Sequence, residues 1–237
     1  MKNDLIGRAI ADYFEHGETP DIEIQTNYTE GELLSPAYFF RTVNEMPEIE
    51  KTALNLCRGK VLDVGAAAGC HAIVLQEKGL DVTALEKSEL AASVMKKRGV
   101  ENVICSNVFH FHEKGFQTIL LLMNGTGIGG TLKGLKKLLL HLKNLLTPNG
   151  QIIIDSSDIS YLFEEEDGSV WVDLTREGYF GEMNYELKYK NEFMKFNWLF
   201  TDFETLTQIC KKIGLNSKKI MEGKNFDYLA QLTISEK

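Results

Sequence analysis

Cysteine and proline are both scarce in this 237-residue chain, four of each. Cys57, Cys70, Cys105 and Cys210 are widely spaced, with no C-x-x-C pair and no clustered histidine partners, which argues against both a zinc site and a disulfide framework. They read as reduced thiols of a cytoplasmic protein. No linker is rich enough in Pro, Gly or Ser to split the chain into independent domains. Long apolar runs are absent as well. The greasiest, Ile119 to Met123, is far too short to cross a bilayer, and Met1-Lys2-Asn3-Asp4-Leu5-Ile6 lacks the apolar core of a signal peptide. No membrane insertion is expected.

Positive charge is in deficit. Lys and Arg number 26 against 34 Asp and Glu, a net charge of -8, and nucleic-acid affinity is built largely from cations neutralising phosphates. A nucleic-acid partner is therefore disfavoured. Lys133, Lys136, Lys137 and Lys143 share a segment with a leucine stripe and read as its solvated face. Asp155 and Asp158 lack the further oxygen ligands that a magnesium site assembles, so no metal is expected.

What remains is an ordinary globular composition, 43% hydrophobic and 25% charged. Residues 1–58 read as an N-terminal helical cap. Leu5, Ile6, Ile10, Tyr13 and Phe14 share one helix face, and Ser35-Pro36 begins a second helical stretch through Arg41. Residues 59–237 form the main domain. Strands are expected at Lys60–Val64, Asp81–Glu86, Asn102–Cys105, Phe116–Met123 and Gln151–Asp155. The helices between them run over Gly69–Lys78, from Ser88 to Gly99, and along Leu132, Leu135, Leu139, Leu142 and Leu146 up to Thr147-Pro148-Asn149-Gly150. Such alternation predicts a doubly wound, largely parallel α/β sheet.

Past Asp155 the texture changes. Met183, Tyr185, Leu187 and Tyr189 alternate with polar residues, and Lys190-Asn191-Glu192 would turn them into a second aromatic run, an inserted antiparallel β-hairpin at about 178–201. A helix over Asp202–Ile213 and strands at Ser217–Met221 and Tyr228–Ile234 complete a seven-stranded sheet.

The most informative segment is Asp63-Val64-Gly65-Ala66-Ala67-Ala68-Gly69, a buried strand, a glycine turn and a helix start, with Glu86 ending the next strand. Backbone in such a turn approaches a ligand closely, and the helix start presents unpaired N–H groups. Two ligands compete for it. A dinucleotide wants glycine where Ala67 stands, and its pyrophosphate suits Asp63 poorly; a ligand with a cationic amino-acid part suits Asp63 well.

These residues resemble the first motif of the class I S-adenosylmethionine-dependent methyltransferases, with the likeness covering roughly residues 58–155. The resemblance implies a Rossmann-like fold and S-adenosylmethionine as cofactor. It implies that Asp63, Gly65, Ala66 and Gly69 cradle the methionine part, that Glu86 binds both ribose hydroxyls, and that Asn107 with Val108 addresses the adenine. Asn107 stands where the family more often has Asp, and Met123-Asn124-Gly125 carries no signature of amine or nucleobase methylation. An ionised Glu86 also suits two vicinal hydroxyls on its own chemistry, the bland reading being a cap for the helix begun by Ser88.

The acceptor side is less defined. Asn124, at the carboxyl edge of the sheet, is a candidate for cofactor contact and for catalysis, and His110 and His112 are candidate bases. His71, beside the turn, packs or contacts cofactor. Arg41 offers the cation that the cofactor's carboxylate needs. Tyr28, Tyr38 and the rings Tyr179, Phe180, Tyr185, Tyr189, Phe196 and Trp198 would close over a small-molecule acceptor or serve as core. An uncovered aromatic hairpin would favour a homodimer. Methyl transfer to a small molecule is the primary reading; a non-catalytic cofactor-binding scaffold or sensor and an NAD-linked oxidoreductase are its rivals.

Overall fold

The structure, a computed structural model, describes residues 4–29, 31–163 and 178–235; residues 1–3 of the amino-terminal stretch discussed above lie outside them. In chain order the elements are α1 (Leu5–His16), β1 (Ile22–Thr26), β2 (Glu32–Leu34), α2 (Glu48–Leu56), β3 (Lys60–Val64), α3 (Cys70–Glu77), β4 (Asp81–Glu86), α4 (Glu89–Lys97) and β5 (Asn102–Cys105). They continue with β6 (Phe116–Leu121), α5 (Leu132–Lys143), β7 (Leu146–Ser157), β8 (Glu182–Tyr189), β9 (Glu192–Leu199), α6 (Phe203–Lys212), β10 (Leu215–Glu222) and β11 (Asp227–Ile234). Among the described residues no helix is long and apolar enough to cross a membrane.

A seven-stranded sheet in the order β10-β11-β7-β6-β3-β4-β5 forms the centre. Strands β7, β6, β3, β4 and β5 are parallel, and β11 and β10 close one edge in antiparallel register. Both faces are covered, which is why the parallel strands read as apolar runs rather than alternating ones. On one side Leu62, Ile119, Ile152 and Ile154 meet Leu135, Leu138, Leu139 and Leu142 of α5 and Leu206 of α6. On the other, Val61, Val82, Leu120 and Ile153 meet Leu54 of α2, Leu75 of α3 and Met95 of α4. Each fully buried aliphatic side chain stabilises this arrangement by about 1.5–3 kcal/mol relative to exposure.

The predicted elements of the main domain are present with shifted ends: β6 stops at Leu121, short of Met123, and the largest shift is at the start of β7. Helix α5 ends at Lys143, and Leu146 with Thr147-Pro148-Asn149-Gly150 belongs to β7. The parallel register slips between Phe116 and Thr118, so this Pro-Gly stretch is an irregularity within the strand rather than the end of a helix.

The N-terminal segment departs from a purely helical cap. Helix α1 forms, with Asp4 accepting from Gly7 N, and buries Leu5, Ala9 and Ile10. Pro36–Phe40 is a 3-10 turn, while α2, not anticipated, packs behind the sheet. Strands β1 and β2 join the hairpin in a second, fully antiparallel sheet of order β2-β1-β8-β9. The hairpin turns through Lys190-Asn191, with Lys190 at φ 54°. Its aromatic alternation is legible locally, but its partner strand lies about 160 residues earlier, in pairs such as Glu23 with Lys188. Helix α1 and Phe39 cover the inner face of this sheet at Ile22, Leu187 and Tyr189. The outer face carries the ion pairs Lys188–Glu23 and Lys195–Glu186 and is solvated.

Candidate functional site

The loops after β3, β4 and β5 lie side by side because their strands are adjacent and parallel, the arrangement that places ligands at the carboxyl edge of open α/β sheets. Gly65 N and Ala66 N both donate to Leu85 O, at 2.8 and 3.2 Å, and Ser106 N donates to Glu86 O at 2.9 Å. The turn carries three left-handed residues, Gly65 (φ 76°), Ala67 (φ 49°) and Gly69 (φ 83°). Gly65 is exposed. Gly69 is buried, and a Cβ there would lie 2.9 Å from Val100 Cγ2 and 3.0 Å from Met95 Cγ. Its glycine therefore serves helix packing and the turn, not only room for a ligand.

Glu86, 8% exposed, performs the capping work of the bland reading and more. Oε1 accepts from Ser88 N at 2.8 Å and Oε2 from Ala67 N at 3.0 Å, so one carboxylate clamps the glycine turn to the start of α4. Each carboxylate oxygen retains a second lone pair, which is what two vicinal hydroxyls would use. Asn107 is exposed; its side-chain oxygen accepts from Phe109 N at 2.9 Å, which leaves its amide N–H groups as the side-chain donors toward a base. The Val108 side chain belongs to the core.

Asp63 is buried at the carboxyl end of β3, and its Oδ2 has no hydrogen-bond partner among the described residues. Burial pushes its carboxyl up to about 6, with nearby His71 opposing the shift and Glu86 adding to it. An orphaned buried carboxylate oxygen is costly, and a ligand ammonium supplies the missing donor and charge. This corner fits the methionine part of S-adenosylmethionine.

The sequence left the surroundings of Asp63 largely unread. Glu50 of α2 is 2% exposed and lies between two cations. Arg41 Nη2 donates to both its oxygens, at 3.0 and 3.1 Å, and His71 Nε2 lies 2.8 Å from Oε2. Arg41 Nε donates to Tyr38 O, and the guanidinium lies 3.5 Å from the Tyr38 ring centroid. Arg41 is thus held by Glu50 instead of standing free for a ligand carboxylate. A signal existed: Met46, Ile49, Glu50, Ala53 and Leu54 share a helical stripe, and an acid in an apolar stripe asks for a buried partner.

Asn124 is tied into the fold by its side chain. It sits at φ 60°; its Nδ2 donates to Leu199 O at 3.1 Å, and its Oδ1 accepts from Ser156 Oγ at 2.8 Å and Thr126 Oγ1 at 3.3 Å. Its side chain ties the turn after β6 to β7 and β9. Asp155 supports the same turn, accepting from Met123 N at 3.1 Å and Gly125 N at 2.8 Å. Burial raises its carboxyl to about 6 despite these bonds. Asp158 instead accepts from Ser160 N and shares no site with it.

His112 is likewise misplaced for a base. Its ring lies 5.7 Å from that of His141, in the last turn of α5. That helix leaves the carboxyl edge after β6 and returns to the amino edge before β7, so His112 stands at the opposite end of the sheet. His110 is exposed on the turn between β5 and β6 and makes no side-chain hydrogen bond among the described residues.

The aromatic residues divide. Tyr189 OH donates to Asp12 Oδ2 at 2.9 Å, and Tyr179 OH donates to Asp202 Oδ2 at 2.6 Å; both are structural ties. Tyr28 packs edge-on against Phe163, with Phe180 5.8 Å beyond. Tyr185, Phe196 and Trp198 are half-buried on the inner face of the four-stranded sheet, and Tyr185 and Phe196 pack in one cluster with Ala67, Ala68 and Met123. The hairpin therefore lies over the carboxyl ends of β3 and β6.

Comparison with known proteins agrees with this geometry. No family model matches the chain, and no curated protein matches it. Among solved structures, a SAM-dependent methyltransferase from Bacteroides fragilis in complex with S-adenosyl-L-homocysteine is 40% identical; the match covers 98% of this chain and 95% of that one, with a TM-score of 0.91. The CcbJ methyltransferase from Streptomyces caelestis (12% identity, 98% of each chain, TM-score 0.64) shares the fold. So does the sugar N-methyltransferase KedS8 from a Streptoalloteichus species (15% identity, 88% of this chain and 96% of that one, TM-score 0.61). With the glycine turn, Glu86 and the unpaired Asp63 oxygen at the carboxyl edge, and with this identity over nearly the whole length, the chain belongs to the S-adenosylmethionine-dependent methyltransferases and uses that cofactor.

Proposed function

We propose that this cytoplasmic enzyme methylates a small-molecule acceptor held between the inner face of β8–β9 and the turn after β6. The observation that carries the reading is the packing of Tyr185 and Phe196 with Ala67, Ala68 and Met123, which puts a half-buried aromatic surface beside the cofactor corner. When bound, S-adenosylmethionine supplies a methyl group on a sulfonium, an electrophile that needs alignment with its acceptor more than activation.

The chain's residues divide that task. Asp63 takes the ammonium of the methionine part, and the backbone of Gly65 and Ala66 admits it closely. Glu86 orients the ribose while holding the turn that Ala67 completes. Asn107 and the backbone of Val108 meet the adenine. Glu50 holds Arg41 and His71 in place behind the cofactor turn. Asp155 and Asn124 keep the floor of the acceptor site rigid. The free thiols at Cys57, Cys70, Cys105 and Cys210 are in keeping with a reducing compartment.

Calorimetry with S-adenosylhomocysteine tests the cofactor roles, and release of S-adenosylhomocysteine across a panel of small acceptors tests the activity. Binding by the wild type that falls about 10- to 100-fold in Glu86→Ala is expected, from the loss of charge-assisted hydrogen bonds. Equal affinity of Glu86→Ala and wild type would overturn the ribose assignment.

A further inference from the structure

The inner face of the four-stranded sheet differs from a simple core layer. Tyr185 stacks on Phe196 across the hairpin at 5.7 Å and lies 6.4 Å from Phe200, while Phe196 meets Trp198 edge-on at 5.8 Å. All four rings are only half-buried. Trp198 reaches the turn after β6: a Cβ on Gly127 would fall 2.0 Å from its ring. Tyr161 and Phe226, stacked at 4.7 Å, extend the aromatic surface along the carboxyl edge, and both are exposed.

Charge on this face is one-sided. Cations at its margins are already held: Arg8 by Glu192, Arg41 by Glu50 and Lys190 by Asp12. Among the described residues the inward positions of β1, β2, β8 and β9 carry no Lys or Arg, whereas Glu32 of β2 is near enough to Tyr185 to help raise its hydroxyl, a shift that burial dominates. Among the described residues, a phosphate or carboxylate laid on these inward positions would meet Glu32 and no Lys or Arg of the sheet, and the nearby Arg98 guanidinium is turned to Ala68 O. An aromatic ring would gain stacking and area burial from side chains already fixed in place.

We propose that the acceptor is a planar aromatic or heteroaromatic molecule without an anionic group, bound against Tyr185, Phe196 and Trp198. This rests on the methyltransferase reading and narrows it: it sets the chain apart from enzymes whose acceptors carry phosphate. The test uses the full chain saturated with S-adenosylhomocysteine, whose binding is measured first and separately. 2-Naphthol and quinoline are then titrated against the complex, with uridine diphosphate glucose as the anionic control, by calorimetry and tryptophan fluorescence.

The expected result is saturable binding of one or both aromatic probes, weakened about tenfold in Tyr185→Ala and in Phe196→Leu, with S-adenosylhomocysteine affinity changed less than about twofold. Phe196→Leu keeps an apolar side chain in the hairpin, so the strand survives if Tyr185→Ala unfolds. Retained S-adenosylhomocysteine binding with no aromatic binding, or with tighter binding of uridine diphosphate glucose, overturns the acceptor assignment alone. Absent S-adenosylhomocysteine binding overturns the cofactor corner and the acceptor assignment with it.

Discussion

The Glu50 carboxylate and the His71 imidazole approach within 2.8 Å in a part of the molecule closed to solvent, joining α2 to the first turn of α3 directly behind the cofactor turn. Burial alone would lower the His71 pKa, but hydrogen bonds to Cys70 and Glu50 carry it well above its ordinary 6.5. Burial alone would raise Glu50, but His71 and then Arg41 hold it below its ordinary 4.5. The pair is therefore an ionic contact near neutral pH.

Its pH dependence follows from those two directions. The Glu50 contribution is complete above pH 4.5 and is lost as pH falls through its lowered folded value; the His71 contribution is complete below pH 6.5 and is lost as pH rises through its raised one. Glu50→Gln is expected to cost about 3 kcal/mol in that window, because it leaves two buried cations short of a counter-charge. Urea denaturation of both proteins from pH 4 to 7 measures it, and equal stability of the two at pH 6 speaks against the buried ion pair.

Cofactor affinity should rise with pH through about 6, the value to which burial pushes Asp63. An ammonium favours the ionised carboxylate, so below that pH binding must displace a proton and weakens by up to about tenfold per unit. Calorimetry with S-adenosylhomocysteine in buffers of different ionisation enthalpy would register the released proton. In Asp63→Asn the binding should be weaker and independent of pH over the same range.

Gly69→Ala is expected to destabilise the protein by about 2–4 kcal/mol, combining a left-handed backbone with overpacking against Val100 and Met95. Ala67→Gly should be neutral or stabilising by about 1 kcal/mol, since it relieves the non-glycine φ of 49°. Denaturant midpoints separate the two. An equal response at both positions would contradict the division of the turn into a packed glycine and a strained alanine.

For Asn124→Ala the loss should appear in stability, about 1–3 kcal/mol, because Leu199 O and the Ser156 hydroxyl lose a buried partner. S-adenosylhomocysteine affinity per folded molecule should be retained. Stability unchanged and binding abolished would return Asn124 to the reacting centre.

His110→Ala and His112→Ala should leave turnover within about twofold of wild type once an acceptor is in hand, since general-base loss would cost about a hundredfold or more. The pH-rate profile of each variant provides the check.

Local chemistry made much of this enzyme readable. The glycine turn, the strand ending in Glu86 and the alternation of strands and helices each depend on residues a few positions apart, whose backbone preferences and apolar spacing act before any tertiary contact exists. Helix α2 shows where that reading stops: the apolar stripe around Glu50 asks for a buried partner, but only the fold brings Arg41 and His71 to it from other elements. The same holds for β1 and β2, too short and too weakly apolar to announce themselves before they pair with the hairpin.

The amino-acid sequence by itself determined the doubly wound sheet and the identity of the methyl donor, because the glycine turn after Asp63 and the Glu86 that ends the next strand are local features of consecutive residues. Tertiary structure alone decided that Asn124 is a brace, that His112 lies at the far edge of the sheet, and that β1 and β2 join the aromatic hairpin β8–β9 in one sheet. Those outcomes depend on pairings between distant segments, whose free energy comes from burial and register that no local window contains.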